Sequence, residues 1–312
     1  MVSFADLMVT RKKKSRHKLD AIHELVSWYK VEKKLKQLLK RAPLGPIGYP
    51  PLTLFKVLLI QNMYGLSDPL MEEMLYDRIS FRDFCGLALS DNVPDETTIC
   101  RFRGALKGKT EGLFQLVLRD LERKGIALKS GTIVDATVIA SAVRPPKGGE
   151  VSEKDSEAGW TKKGGEYIHG YKAHVACDAT SRIVTGVIAT SADVHDSNVL
   201  EQLLRGDEPS VMADKAYESK ARRARLKAHG IDDQLMYKKK AGKPQPSWQN
   251  ALNKLWSKRR GLIEGIFGTV KEVVGLRRCR YKGWGKNQTH FELLFMVLNL
   301  SRGANILRKQ GA

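Results

Sequence analysis

Cysteine is scarce in this chain, and what there is lies scattered. Cys85, Cys100, Cys177 and Cys279 form no C-x-x-C pair, so neither a zinc ribbon nor a disulfide framework is indicated. A reducing cytosol is the natural compartment for such a chain. There is no run of eighteen apolar residues, so nothing reads as a membrane span. The opening MVSFADLMVTRKKKSRHK puts its charges after its apolar residues, the wrong order for a secretory signal. There is no GxxxxGK[ST], no GxGxxG and no GxSxG, so nucleotide hydrolysis, dinucleotide redox and serine hydrolysis lack support. His169, His174 and Cys177 follow an H-x4-H-x2-C spacing that matches no zinc pattern. His174 reads as a satisfied buried histidine, and His195 with Asp196 as the shaping of a helix start. The few aromatics flanked by basic residues form no motif of a single-stranded RNA binder.

Acidic residues are also in short supply, 34 against 54 Lys plus Arg, for a formal charge of +20. That excess points to a polyanionic partner, nucleic acid first and an anionic membrane surface second. The length of 312 residues and apolar fraction of 42% suit one large or two medium soluble domains.

The chain divides by pattern. Residues 1–18 read as a basic tail. Residues 19–125 read as an all-helical domain: a helix at 19–39, a break at APLGPIGYPP, then helices from Leu52, Asp68, Phe81, Glu96 and Thr110. Asp68, Asp95 and Thr110 are the expected caps. After Lys129 the β-branched run TIVDATVIA reads as a strand. Residues 141–165 read as a long loop, 167–190 as a hairpin, SVMAD and IDDQLMY as short strands. Helices are expected to start in ADVHDSNVLEQLL, with Asp196 or Ser197 as cap, and at ESKARRARLKAHG, at 251–274 and near 290–300, with 301–312 as a tail. This order predicts an α/β fold over 130–300: a ribonuclease H-like mixed sheet with helices on both faces.

Three acids stand out in that second region. Asp135 interrupts an apolar strand, Asp214 ends another, and Glu264 lies in the helical stretch KRRGLIEGIFGTVKEV. A lone buried aspartate is costly unless it is paired or metal-bound, and ligands gather at the carboxyl ends of strands in open α/β sheets. Carboxylates from strand, strand and helix are what a two-metal phosphoryl-transfer site requires, because Mg²⁺ prefers hard oxygen ligands. The competing reading is two turn caps and a surface ion-pair ladder of Arg260, Glu264 and Lys271. Around Glu264 the basic residues Lys258, Arg259, Arg260, Lys271, Arg277, Arg278, Arg280 and Lys282 are candidates to track a DNA backbone. Trp284, between two glycines, is a candidate to stack on a base.

These residues resemble the DDE transposases of bacterial insertion sequences, specifically the insertion-sequence-five family. That family's helix carries Tyr, Arg, Glu and Lys at fixed spacing; here Arg260, Glu264 and Lys271 match, and Ser257 stands where the tyrosine would. IVDATVI matches at Asp135 and ADKAY at Asp214, with VPDETTICRFR, YIHGYKAHVACD and TSADVHDS as further matching stretches. The resemblance implies Asp135, Asp214 and Glu264 as catalytic metal ligands, Mg²⁺ as cofactor with Mn²⁺ as a substitute, and double-stranded DNA as partner. It implies hydrolysis at terminal inverted repeats, then attack of the freed 3′-hydroxyl on target DNA. It also implies a homodimer or larger assembly, acting in a bacterial cytoplasm at the nucleoid, with the helical domain reading the ends. Two alternatives remain: a nuclease of the same fold that never joins, and an inactive transposase-derived DNA-binding protein.

Overall fold

The computed structural model describes residues 17–39, 48–127, 129–147, 149–272 and 274–310. Most of the expected basic tail lies outside the described residues. They fall into two compact units: one takes residues up to Ile126 together with those from Glu292 on, the other Ala127–Phe291.

The first unit is helical: α1 (Lys18–Leu25), α2 (Trp28–Leu38), α3 (Pro51–Tyr64), α4 (Asp68–Asp77), α5 (Ile79–Cys85), α6 (Glu96–Ala105) and α7 (Glu111–Arg123). The single helix expected over 19–39 is two. The chain is extended at Val26, and the Ser27 N–H donates to Asp120 of α7 at 2.8 Å. Helix α3 is buried on every side from Thr53 to Asn62, as befits a helix apolar nearly all round. Its Lys56 is buried as well, with the ammonium 4.6 Å from the Trp28 ring, a cation–π contact that offsets some of the lost hydration. Asp95 caps α6 as expected, accepting the Thr98 N–H at 2.6 Å. The other two caps differ. Ser67, not Asp68, caps α4, because the Asp68 carboxylate is held by Arg103 at 2.7 Å. The Thr110 hydroxyl donates to Glu292 instead of capping α7.

The second unit is built on a six-stranded mixed sheet. Its strands are β1 (Thr132–Ala140), β2 (Gly159–Lys163), β3 (Glu166–Asp178), β4 (Val184–Ser191), β5 (Ser210–Ala213) and β6 (Asp232–Leu235), in the order β2-β3-β1-β5-β6 with β4 also on β3. β1 runs antiparallel to β3 and parallel to β5, and β5 parallel to β6. The region expected as a loop over 141–165 contains β2, which lengthens the hairpin of β3. At Gly170 an added Cβ would lie 2.1 Å from the Ile139 carbonyl oxygen, so the close pairing of β3 with the end of β1 depends on a glycine there.

The helices of this unit are α8 (Leu200–Leu203), α9 (Lys220–Ala228) and α10 (Ser247–Glu272). Val134 packs in one buried cluster with Leu200, Tyr217, Leu226 and Leu235, while the next residue, Asp135, meets Arg260 of α10. Successive strand residues point to opposite faces, so helices cover both, as the sequence predicts. Helix α10 buries Ile263, Ile266, Phe267 and Val270. The last helix, α11 (Trp284–Gln310), is longer than predicted. Residues 301–310, expected as a tail, continue it, with Ala304 fully buried. The helical unit therefore includes carboxy-terminal residues that the sequence pattern assigned to the catalytic region and the tail.

Candidate active site

The register places the first two acids. In the parallel pair β1–β5, Val134 faces Ala213, so the next step along both strands brings Asp135 alongside Asp214, with neighbouring strands roughly 4.8 Å apart. Asp135 accepts the Ala136 N–H at 2.8 Å. Asp214 accepts the Lys215 N–H at 2.5 Å and opens a short 3₁₀ turn, Lys215–Tyr217. It is thus both a turn cap and a member of the acid pair.

One guanidinium joins the two carboxylates. Arg260 Nη2 lies 2.8 Å from Asp135 Oδ2, and Nη1 lies 3.4 Å from Asp214 Oδ1. The Asp135 and Arg260 side chains are 17% and 12% exposed and Asp214 is 41% exposed, so the site opens on the Asp214 side. Burial pushes the Asp135 carboxyl up, against the pull of Arg260 and the Ala136 N–H, and Asp214 adds to the push. Asp135, Asp214 and Glu264 all hold the Arg260 guanidinium in its charged form against the cost of burial.

Glu264 sits one turn after Arg260 on α10 and is exposed. Its charge reaches Arg260, but among the described residues no three carboxylate, His or Cys side chains stand close enough to share an ion. The structure brings Asp135 and Asp214 together and leaves Glu264 beside them. Two carboxylates converging on one cation are donors of the kind a hard divalent ion takes, and Arg260 is the cation that stands there.

Tyr217 is a neighbour that sequence reasoning passed over. It is 1% exposed, its hydroxyl has no partner among the described residues, and Asp196, Asp135 and Asp214 all raise its pKa beyond the effect of burial. Its place in ADKAY, three residues after Asp214, was the available signal. The Lys172–Asp196 ion pair at 2.9 Å was not anticipated either, because its members are 24 residues apart on separate elements.

His174 is fully buried, with Nε2 2.8 Å from the Thr190 hydroxyl. Burial drives its pKa down to about 4, with Asp196 opposing and Lys172 assisting. The ring is therefore neutral in the fold, whereas an unfolded histidine titrates near about 6.5. Between those values the unfolded chain binds the extra proton, so this contribution to stability is whole above pH 6.5 and lost as pH falls toward 4. Denaturant unfolding should show the wild type losing about 2 kcal/mol more than His174→Gln between pH 7 and pH 5. Equal losses would place a charged histidine in the fold. His195 accepts the Ser197 N–H and starts a 3₁₀ turn, in keeping with a shaping role.

The basic candidates differ in availability. Lys258 and Arg259 are exposed on α10, and Lys282, Arg278 and Arg280 are exposed beyond it. Arg277 is exposed but pairs with Glu272 at 2.5 Å. Lys271 is half-buried, and burial lowers its pKa. Arg260, expected to reach a phosphate, is instead engaged by the two acids. Trp284 donates its indole N–H to the Ala189 carbonyl at 2.7 Å and its backbone N–H to Glu157 at 2.9 Å, which fixes the ring but leaves it 44% exposed. The segment carrying Arg277 and Arg278 is tied to the end of β1: Ala140 N–H donates to the Arg277 carbonyl and Cys279 N–H to the Ala140 carbonyl at 2.7 Å. Ala140 lies five residues along β1 from Asp135, roughly 17 Å.

With this geometry in place, comparison with known proteins defines the class. Residues 126–300 match the family described as Transposase DDE domain, and residues 8–105 match that described as Transposase domain (DUF772). The first match spans more than half of the chain, and the chain belongs to the DDE transposase family. Among solved structures it is similar to a piggyBac transposase synaptic complex with hairpin DNA, at 10% identity and TM-score 0.42, over 93% of this chain and 72% of that one. Among the described residues no helix is long and apolar enough to cross a membrane.

Proposed function

We propose that this protein is an active DNA transposase that cuts at the inverted repeats ending a mobile element and joins the 3′ ends to target DNA. The observation that carries the reading is the convergence of Asp135, within β1, and Asp214, just past the end of β5, on one cation, in a chain of this family. A divalent ion held by Asp135 and Asp214, with Glu264 as third ligand, would neutralise phosphate charge and supply the activated oxygen for displacement. Mg²⁺ is the proposed ion, with Mn²⁺ as a substitute.

The chain's own residues have separate tasks. Asp135, fixed in mid-strand, gives the site its rigid wall, and Asp214 faces the solvent side from which DNA arrives. Lys258, Arg259, Arg278, Arg280 and Lys282 hold the phosphate backbone by charge, without reading sequence. Trp284, 44% exposed, stacks on a base. The helical unit reads the repeat, and a homodimer or larger assembly brings two ends together in the bacterial cytoplasm.

Incubation of the full chain with a labelled repeat-end duplex, a target plasmid and Mg²⁺ tests this. The expected products are a nicked or cut end and a covalent end–plasmid joint. Cutting without any joint would reduce the protein to a nuclease, and binding without cutting would leave a DNA-binding protein.

A further inference from the structure

Arg260 occupies the place that the metal site requires. Its guanidinium reaches Asp135 at 2.8 Å and Asp214 at 3.4 Å, it is mostly buried, Nη1 also lies 3.7 Å from the Met236 sulfur, and the Glu264 charge acts on it. Its Nε has no partner among the described residues. A buried arginine is tolerated only while paired, and removing its partners leaves a charge whose desolvation is uncompensated. Asp135 Oδ1 already accepts a backbone N–H, so Oδ2 is the oxygen best placed for a cation, and Arg260 has it. A divalent ion at that oxygen would stand within a few ångströms of the guanidinium, and two cations so close in a half-buried site repel each other. If Arg260 leaves, it needs another anion. It shares α10 with the exposed Lys258 and Arg259, and a guanidinium pairs with phosphate as well as with carboxylate.

We propose that Arg260 is a built-in counter-cation: it pairs the two acids in the free protein, is displaced when the ion binds, and is taken up by a phosphate of the DNA. Metal and DNA binding are then coupled, each raising the affinity for the other by the same factor. This inference rests on the acid pair being the metal site, as proposed above.

Calorimetry with Mn²⁺ in the absence of DNA tests it on the full-length wild type and on Arg260→Gln, whose folding is checked by circular dichroism and thermal unfolding. Arg260→Gln should bind Mn²⁺ more tightly than the wild type, by roughly 5- to 150-fold, the usual span of a coupling between two sites. A repeat-end duplex, with Ca²⁺ as the titrant to suppress cutting, should tighten ion binding to the wild type and have little effect on the variant. Arg260→Lys, which keeps the charge without the fork, should fall between the two and serves if the glutamine variant does not fold. Ion affinity unchanged or weaker in Arg260→Gln, or DNA enhancement undiminished in it, would overturn the inference while leaving the metal site standing. No ion binding by either protein, with or without DNA, would overturn the metal site itself.

Discussion

Asp135→Asn should reduce Mg²⁺-dependent cutting of a repeat-end duplex by roughly two to three orders of magnitude, the scale of losing one preorganised charge-stabilising group. The substitution keeps the shape of a side chain that is 17% exposed and retains an acceptor for the Ala136 N–H. Alanine at the same place would also leave Arg260 buried without its nearer partner, a cost of about 3–5 kcal/mol, and would confound activity with stability. Asp214→Asn should show a comparable loss of cutting. Glu264→Gln is the cleanest of the three, because Glu264 is exposed on the surface of α10 and its removal should leave thermal stability within about 0.5 kcal/mol of wild type. All three variants should still retard the duplex in a gel. An acid whose variant cuts at a near wild-type rate is not a ligand.

The second large effect is on DNA affinity. Raising salt from 50 to 200 mM should weaken binding by roughly 10³- to 10⁵-fold if six to ten phosphates are neutralised. The Lys and Arg residues between Lys254 and Lys286 supply enough charge for that. The two arginines stapled to the end of β1 should not contribute equally. Arg277 already pairs with Glu272 at 2.5 Å, so a phosphate must compete for it, whereas Arg278 is exposed in the same segment. Arg278→Ala should flatten the slope of log affinity against log salt by about 0.9, the value for one phosphate contact on duplex DNA. Arg277→Ala should flatten it by less. Slopes unchanged in both variants would remove this segment from the DNA contact surface.

Strong local patterns carried the reading of the sequence a long way. TIVDATVIA forms β1 because β-branched residues suit a pleated, half-buried surface. Helix α10 lies within four residues of its predicted bounds, because its apolar stripe Ile263, Ile266, Phe267 and Val270 has the helical period. Asp95 caps α6 because its acceptor sits three residues before a free amide, a purely local arrangement. Family membership was legible too, because several short motifs recur in order along the chain.

What failed depended on partners far away in sequence. Asp68 looked like a cap until Arg103, 35 residues on, claimed its carboxylate. Thr110 was drawn away by Glu292. β2 was hidden in a Gly-rich, charged stretch because its pairing with β3 overrides a weak propensity. The tail at 301–310 is helix because Ala304 finds a buried place, and burial stabilises a helix more than propensity does.

The candidate site divides in the same way. The sequence by itself determined that there is one acid within a strand, one at a strand's end, a helix-borne glutamate and a basic surround, since each is announced by the residues on either side of it. Only the tertiary structure decided that Asp135 and Asp214 stand side by side, through a parallel register set by strands about 80 residues apart. Only it decided that Arg260 turns inward to them, since a helical period places a side chain on a face but does not say which anion lies opposite. Charge pairing acts through space at a few ångströms, and distance along the chain does not report it.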